Sequence, residues 1–600
     1  MTDALERIQD DLQAGRLDAA ETALDAYLRT HPKDADGLVL RGLVLAVRGQ
    51  ADEAANALRK ANNAAPNRWE VQHNAGLAYL QLQRTDDALR RFEAAIRLNP
   101  DAWSTAIQIG RIHLDRLQQP AAAAECFRRA LTAAPGELDA QYHRGKALFQ
   151  LGECDAAVEL WRQCRGAAET CGLADLVSRC RQAIAISIPG AMAADNATIL
   201  AERQAWTRTF PPSLADRPTF TGRDRDPERP LVIGYISSFF DSENWMKPVW
   251  GLINQQERER YPVRIFSFGP VPGCDGDSSP TAFRPHESDR IFDVERLEHE
   301  RVASLIADEQ VDVLVDLNGY SDPRRLEAIA MRPAPVIVGW FNMYATTALA
   351  CFDYLIGDRH VVLPEEEVHY TERIARVPGS YLTFDVGYPV PEVAPSPAAR
   401  NGYITFGSLC SRYKFTPEVL DAWSEILNRC RAAHLLLRNG GLESPSEREH
   451  LLQQFTSRGV DLSRIELLGR AAHYEFLETY SRIDIALDTF PYNGGTTTTE
   501  AIWQGVPVVA YAGRTWASRT SATLLREGGL GDWVTDDLTN YIELAVRWGN
   551  DVDSPRTLKT LRARMRETLA ATSVCDTVGF ARAMEALYRR FWRAWSVGPQ

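Results

Sequence analysis

Prolines recur at 32, 66 and 100, a step of 34 residues, and again at 135 after one step of 35. Gly42, Gly76, Gly110 and Gly145 keep the same steps, and so do Ala54, Ala88, Ala123 and Ala157. Leu58, Phe92, Phe127 and Trp161 form a third, large and apolar series in phase with them. A period of this length fixes the architecture before any other feature is considered. Small residues let two helices approach closely, the large apolar residue fills the space between them, and proline ends each unit. The extra residue falls between Asp115 and Pro120, where a turn between helices can absorb it.

This pattern resembles the tetratricopeptide repeat, with three full units over about residues 33 to 135. A degenerate unit precedes them (Gly15, Ala20, Leu24, Pro32) and another continues through Cys164, so the array is assigned to residues 1–165. Such arrays present a concave groove, and a protein or peptide partner is the functional expectation. The other reading is a purely structural cap on the C-terminal part of the chain.

Bulk properties exclude several classes. A net charge of −13 argues against a large nucleic-acid footprint. The opening Met1-Thr2-Asp3-Ala4 has neither the basic nor the apolar region of a signal peptide. No apolar run approaches the roughly 20 residues of a membrane span, so a cytoplasmic protein without a membrane span is expected. Cys154, Cys164, Cys171 and Cys180 contain no Cys-x-x-Cys pair, and are expected to be buried reduced thiols rather than a metal site.

A helical linker is assigned to 166–229, and there the texture changes. Leu231–Ser237, Val263–Phe268, Val311–Leu317 and Val336–Trp340 read as buried parallel strands separated by helix-length segments. A proline-rich break from Pro389 to Pro397 precedes a second set: Tyr403–Phe406, His434–Leu437, Ile465–Leu468, Ile483–Leu487 and Val506–Tyr511. The expected lobes are 230–388 and 389–575, with a last helix in 576–600 long enough to cross back onto the first lobe.

The chemistry concentrates in Asp488-Thr489-Phe490-Pro491-Tyr492-Asn493-Gly494-Gly495-Thr496-Thr497-Thr498-Thr499-Glu500. A strand feeds a turn with two glycines, and four threonines open a helix. Glycines let backbone approach a ligand, and the first N–H groups of a helix form an anion site. An acid further into the helix suits ribose hydroxyls. One threonine suffices as a cap, so the run points to a nucleotide diphosphate. Neither a Walker loop nor a GxGxxG fingerprint is present.

Together the chain resembles the O-GlcNAc transferase/SPINDLY family, over about residues 1–165 and 230–595. The stretches that carry the likeness are Asp316-Leu317-Asn318-Gly319-Tyr320, Arg332-Pro333-Ala334-Pro335 with Trp340, Tyr413-Lys414 with Pro417, the Asp488–Thr497 segment, and Ala517-Ser518-Arg519. The resemblance implies a GT-B fold, two Rossmann-like lobes facing a cleft, after a helical solenoid. It implies inverting transfer of a sugar, by default N-acetylglucosamine from a UDP-sugar, to Ser/Thr of a protein held partly by the repeats. It also implies that Lys414 stabilises the leaving diphosphate. Ser411, His473, Asn493, Gly494, Gly495, Thr496, Thr497 and Glu500 are implied contacts of the nucleotide sugar. No metal and no cofactor are expected, since the nucleotide sugar is a substrate.

Three departures bear on the expectation. Relatives carry a His-Pro pair in the loop after the first strand, where this chain has Glu243, with Asp241 a rival; either carboxylate is a candidate general base. Asn342-Met343-Tyr344-Ala345-Thr346-Thr347 replaces a Gly-Tyr-Pro-Gly-Thr loop expected to line the acceptor or sugar pocket. The asparagine ladder of the repeats is reduced to Leu40, Asn74, Gln108 and His143. The alternatives are the same fold with GDP-fucose or a nonulosonic acid donor, as in flagellin glycosylation, or a non-catalytic repeat scaffold that senses nucleotide sugars.

Overall fold

The computed structural model describes residues 3–210, 220, 222–242, 245–273 and 282–598. Glu243 lies outside the described residues. The chain divides into two compact units, Met1–Gln150 and Leu151–Gln600.

The first unit is helical throughout, and the repeat positions explain its packing. Ala35–Val47 packs on Ala51–Ala64, and Trp69–Gln81 on Thr85–Leu98. A Cβ at Gly42, Gly76 or Gly110 would lie 2.5–2.7 Å from Leu58, Phe92 or Phe127. The glycines are therefore required by contact with the very residues that recur in phase with them. Gly15, Gly49, Gln83 and Gln118 take left-handed backbone at the turn of each unit, one repeat apart. The 35-residue step is absorbed earlier than the turn alone would require. Ile112–Arg116 forms a π-helical turn, with Leu117 N–H donating to Ile112 O at 3.1 Å. Of the residues standing in for the asparagine ladder, Asn74 is exposed, whereas Leu40 and His143 are buried.

The helix Cys154–Thr170 carries Ala157 and Trp161 but belongs to the second unit. Its Asp155 accepts from the backbone N–H of Met192 and Ala193, and its Arg162 and Arg165 pair with Glu202. Cys154, Cys164 and Cys180 are buried as expected; Cys171 is exposed, because it falls at the end of that helix rather than on its packed face.

The rest of the second unit holds two parallel sheets. The first orders its strands β3-β2-β1-β4-β5-β6-β7: β1 Ile233–Ser237, β2 Val263–Ser267, β3 Arg290–Asp293, β4 Val313–Asp316, β5 Val336–Gly339, β6 Tyr354–Gly357 and β7 Arg373–Arg376. The second runs β10-β9-β8-β11-β12-β13: β8 Thr405–Ser408, β9 His434–Arg438, β10 Ile465–Leu468, β11 Ile485–Leu487, β12 Val508–Tyr511 and β13 Val534–Thr535. The apolar runs read from the sequence are β1, β2, β4, β5 and β8 to β12; β6 and β13, four and two residues long, are not among them. Edge strands β3 and β7, Arg-Ile-Phe-Asp and Arg-Ile-Ala-Arg, escaped that reading because partial exposure makes them polar. The helix Thr577–Ser596 returns to the first lobe and packs on the helix Lys247–Gln255, with Tyr354 stacked on Phe591 at 3.7 Å.

Each sheet reverses its strand order once, between β1 and β4 and between β8 and β11. In open α/β sheets a ligand crevice opens at the carboxyl ends of the strands at such a point. Among the described residues no helix is long and apolar enough to cross a membrane.

Candidate functional site

At the second reversal, β11 leads into Asp488 and the turn after it. The Asn493 side-chain amide donates to Thr489 O at 2.7 Å, and Gly494 N–H donates to Asp488 Oδ1 at 2.8 Å. The Ser521 hydroxyl donates to Gly494 O at 2.9 Å. Gly494 is required here, since a Cβ would stand 2.5 Å from Thr498 Oγ1 and 2.8 Å from Thr497 Oγ1. The helix Thr496–Trp503 then starts at Gly495, which supplies no side-chain cap. The threonines divide into two pairs. Thr498 shares a hydrogen bond with Ser521 at 2.7 Å and Thr499 donates to Thr496 O at 2.8 Å, both buried. Thr496 and Thr497 stay partly exposed beside the uncapped helix start.

β8 delivers a cation to the same place. After Ser411 the chain makes a short 3-10 turn, Arg412–Lys414, and the Lys414 ammonium donates to Asn493 O at 2.7 Å. It lies 4.7 Å from the centroid of the Tyr492 ring. Tyr344, from the first lobe, packs on that ring at 4.8 Å. Tyr344 and Phe341 adopt left-handed backbone, with φ of 52° and 77°, a strained arrangement that clusters at ligand sites. The loop is fixed by Glu372, which accepts from the Thr346 hydroxyl at 2.8 Å and Thr347 N–H at 2.6 Å, and by Tyr320 OH donating to Thr347 O at 2.7 Å.

Burial pushes the Asp488 carboxyl up to about 6; the Gly494 N–H and the Lys414 ammonium oppose the rise. Among the described residues, Asn493 Oδ1 is buried without a hydrogen-bond partner, a group whose polarity a ligand or ordered water can satisfy.

The far end of the same helix turn carries Glu500, 3% exposed. His473 Nε2 lies 2.9 Å from its Oε1, and Lys247 Nζ lies 3.4 Å from the same oxygen. Lys247 comes from the first lobe, where it opens the helix Lys247–Gln255.

Most of the residues picked out in the sequence therefore converge. Lys414, Asn493, Gly494, Gly495, Thr496 and Thr497 form one cluster, and Glu500, further along the helix Thr496–Trp503, forms a second with His473, which opens the helix His473–Glu478. Ser411 is exposed ahead of the Lys414 turn. Gly494 has its N–H committed to Asp488, so its part is to shape the turn. Asp241 is exposed, and the Ser242 hydroxyl approaches it at 3.4 Å. Lys247 was not among the sequence candidates, since only a Lys-Pro pair at a helix start marks it. Other motif residues act as braces. Asp316 accepts from the N–H of Asn318 and Gly319, Arg332 grips Asp353, and Arg519 makes a two-pronged pair with Glu366 at 2.6 and 2.8 Å. Among the described residues, no group of three or more His, Cys, Asp or Glu side chains is placed to hold a metal ion.

The chain matches the model of glycosyl transferase family 41 over residues 213–393 and 398–584, and tetratricopeptide-repeat models over 5–68, 69–102 and 112–167. It is 32% identical over 403 residues to the "Probable UDP-N-acetylglucosamine--peptide N-acetylglucosaminyltransferase SPINDLY" of Solanum lycopersicum, covering 66% of this chain and 42% of that one. It is 23% identical to the UDP-N-acetylglucosamine–peptide N-acetylglucosaminyltransferase of Caenorhabditis elegans, over 61% of this chain and 41% of that one. The chain thus spans about two-fifths of the length of the curated relatives it matches. Among solved structures, a mutant of the Thermobaculum terrenum O-GlcNAc transferase superposes with a TM-score of 0.73 at 30% identity, covering 89% of this chain and 98% of that one.

Proposed function

The chain belongs to glycosyl transferase family 41, the O-GlcNAc transferase/SPINDLY family, and we propose that it transfers a sugar from a nucleoside diphosphate donor to a Ser or Thr hydroxyl of a protein. UDP-N-acetylglucosamine is the first choice of donor, the one named in its relatives. The carrying observation is the Lys414 ammonium held 2.7 Å from Asn493 O, beside an uncapped helix start flanked by two partly exposed threonines.

As the glycosidic bond breaks, charge builds on the departing diphosphate. A fixed ammonium and the positive end of a helix answer that charge without reorganising. In this reading Lys414 meets the phosphate next to the bond, and the N–H and hydroxyl groups of Thr496 and Thr497 take the rest. Glu500 accepts from the ribose. The acceptor oxygen attacks the anomeric carbon from the opposite face, in one inverting displacement. Its proton goes to a carboxylate of the loop after β1, with Glu243 ahead of the exposed Asp241. The cation and helix dipole replace a metal, and the repeat groove holds part of the acceptor protein in the cytoplasm.

GDP-fucose stays the alternative donor implied by the resemblance to SPINDLY proteins, although the matched SPINDLY relative is named for UDP-N-acetylglucosamine. The test is to incubate the protein with UDP-N-acetylglucosamine, GDP-fucose and other nucleotide sugars plus host lysate. Diphosphate release and the mass added to acceptor peptides are then read. A protein-linked mass on Ser or Thr supports the reading; no turnover with any donor, alongside unimpaired nucleotide binding, leaves the scaffold alternative.

A further inference from the structure

Lys247 is 3% exposed, and its ammonium sits where no sequence motif announced a cation. Nζ lies 3.4 Å from Glu500 Oε1, 3.3 Å from His473 Nε2 and 3.8 Å from the centroid of the Tyr388 ring. His473 closes the group, 2.9 Å from the same Glu500 oxygen and 5.2 Å from Tyr388 ring to ring. Two segments far apart in sequence therefore converge on one carboxylate oxygen, and one of them belongs to the opposite lobe. Burying an ammonium is costly unless a counter-charge and hydrogen bonds meet it, so the position of Lys247 is tied to that of Glu500.

The asymmetry of the contacts is informative. Among the described residues, the ion pairs and hydrogen bonds of the Glu500 carboxylate fall on Oε1. A carboxylate with one oxygen pinned from two sides cannot rotate, and it presents the other oxygen in one direction. That is what recognition of a cis-diol requires, because hydrogen bonds to two adjacent hydroxyls depend on a fixed acceptor.

We infer that Lys247 is a positioning residue for ribose recognition. Acting from the first lobe, it pins Glu500 Oε1 so that Oε2 faces the vicinal hydroxyls of the nucleoside. Discrimination of ribose from deoxyribose then depends on a residue that does not itself touch the sugar, and is present only when the two lobes are seated together. The inference rests on the nucleoside diphosphate reading above.

The experiment measures binding of UDP and 2′-deoxy-UDP to the full chain by calorimetry, with GDP and 2′-deoxy-GDP in parallel. The wild-type protein is expected to favour the ribonucleotide by roughly tenfold, the scale of one hydrogen bond to a charged group. Lys247→Met and Lys247→Gln both remove the charge, the second without creating an apolar site. In either variant the preference is expected to fall to about twofold or less, mostly through weaker binding of the ribonucleotide. In a Glu500→Gln background, Lys247→Met is expected to change the ratio no further. An unchanged preference in a folded Lys247 variant overturns the inference, and so does tighter UDP binding, which would make Lys247 a competitor for the pocket. Failure of the wild-type protein to bind either ribonucleotide is a different result, and removes the functional reading itself.

Discussion

The Lys414 ammonium donates to the main-chain carbonyl of Asn493 at 2.7 Å, joining the exit of β8 to the turn after β11. Seventy-nine residues separate the two in sequence, and the cation stands at the start of a helix that has no side-chain cap. A lysine held this way loses little freedom when an anion arrives, so its contribution belongs to the charge that develops during bond breaking. Lys414→Met is expected to lower kcat by about 10²–10³-fold, the range for removing one preorganised donor, while the Kd for UDP changes by less than about tenfold. Steady-state rates with the best donor, set against calorimetric UDP binding, check the split. An equal loss in both would make Lys414 a simple binding residue.

Gly494 offers a test of the turn itself. Its missing side chain leaves room for the hydroxyls of Thr497 and Thr498, which a Cβ would approach to 2.8 and 2.5 Å. Gly494→Ala must push the helix start away from Asp488 or break the Thr498–Ser521 hydrogen bond. We expect UDP binding to weaken at least tenfold, about 1.4 kcal/mol, with kcat falling alongside. Gly531→Ala, away from the site, is the control: its Cβ would meet nothing closer than 3.9 Å, and UDP affinity is expected to stay unchanged.

Much of this was legible in the chain, and the physical reason differs from element to element. The longer central runs announce themselves because both faces are buried, as Val313–Asp316 is; β3 and β7 do not, because Ala375 alone among their eight residues is buried. Glu500, Thr496 and Thr497 stand within five residues of each other, so one local motif reveals them. Lys247 reaches Glu500 across 253 residues, and nothing near it in sequence records the partnership. Likewise, the four threonines look equivalent in a row, yet the helical turn sends Thr498 and Thr499 inward and leaves Thr496 and Thr497 at the surface. The left-handed positions Gln83 and Gln118 were hidden for a related reason. Glycine marks the equivalent turn at Gly15 and Gly49, and glutamine gives no such sign.

The turn that carries Lys414 has a second support. Leu151 and Gly152 lie against it: Arg412 donates to Leu151 O at 2.6 Å and to Phe415 O at 3.3 Å. Gly152 takes φ of 85°, and a Cβ there would run into the Phe415 carbonyl. Gly152→Ala is therefore expected to shift the Arg412–Lys414 turn, lowering kcat about tenfold or more and reducing stability by about 1–2 kcal/mol from the left-handed backbone alone. Gly49→Ala isolates that backbone cost, since Gly49 has φ of 77° with nothing within 4 Å of the added carbon. It should lower the Tm with kcat preserved. If both variants lose rate equally, the contact with Phe415 is not what holds Lys414 in place.

Asp488 links the site to pH. Burial raises its carboxyl from an ordinary 3.8 to about 6 in the folded protein, so between those values the unfolded chain has lost the proton that the folded chain still holds. Folding stability from this group is complete below about pH 3.8 and declines as pH rises toward 6, by about 3 kcal/mol in all at 1.36 kcal/mol per unit. Asp488→Asn is neutral at every pH and keeps an oxygen to accept from Gly494 N–H. Its stability relative to the wild-type protein is therefore expected to climb from pH 4 to pH 6 and level off above. Urea denaturation of both proteins across pH 4–7 gives the difference directly, with other carboxylates cancelling. A difference that stays flat over that range would mean that Asp488 ionises in the folded protein as readily as in the unfolded chain, and that the Lys414 ammonium offsets its burial.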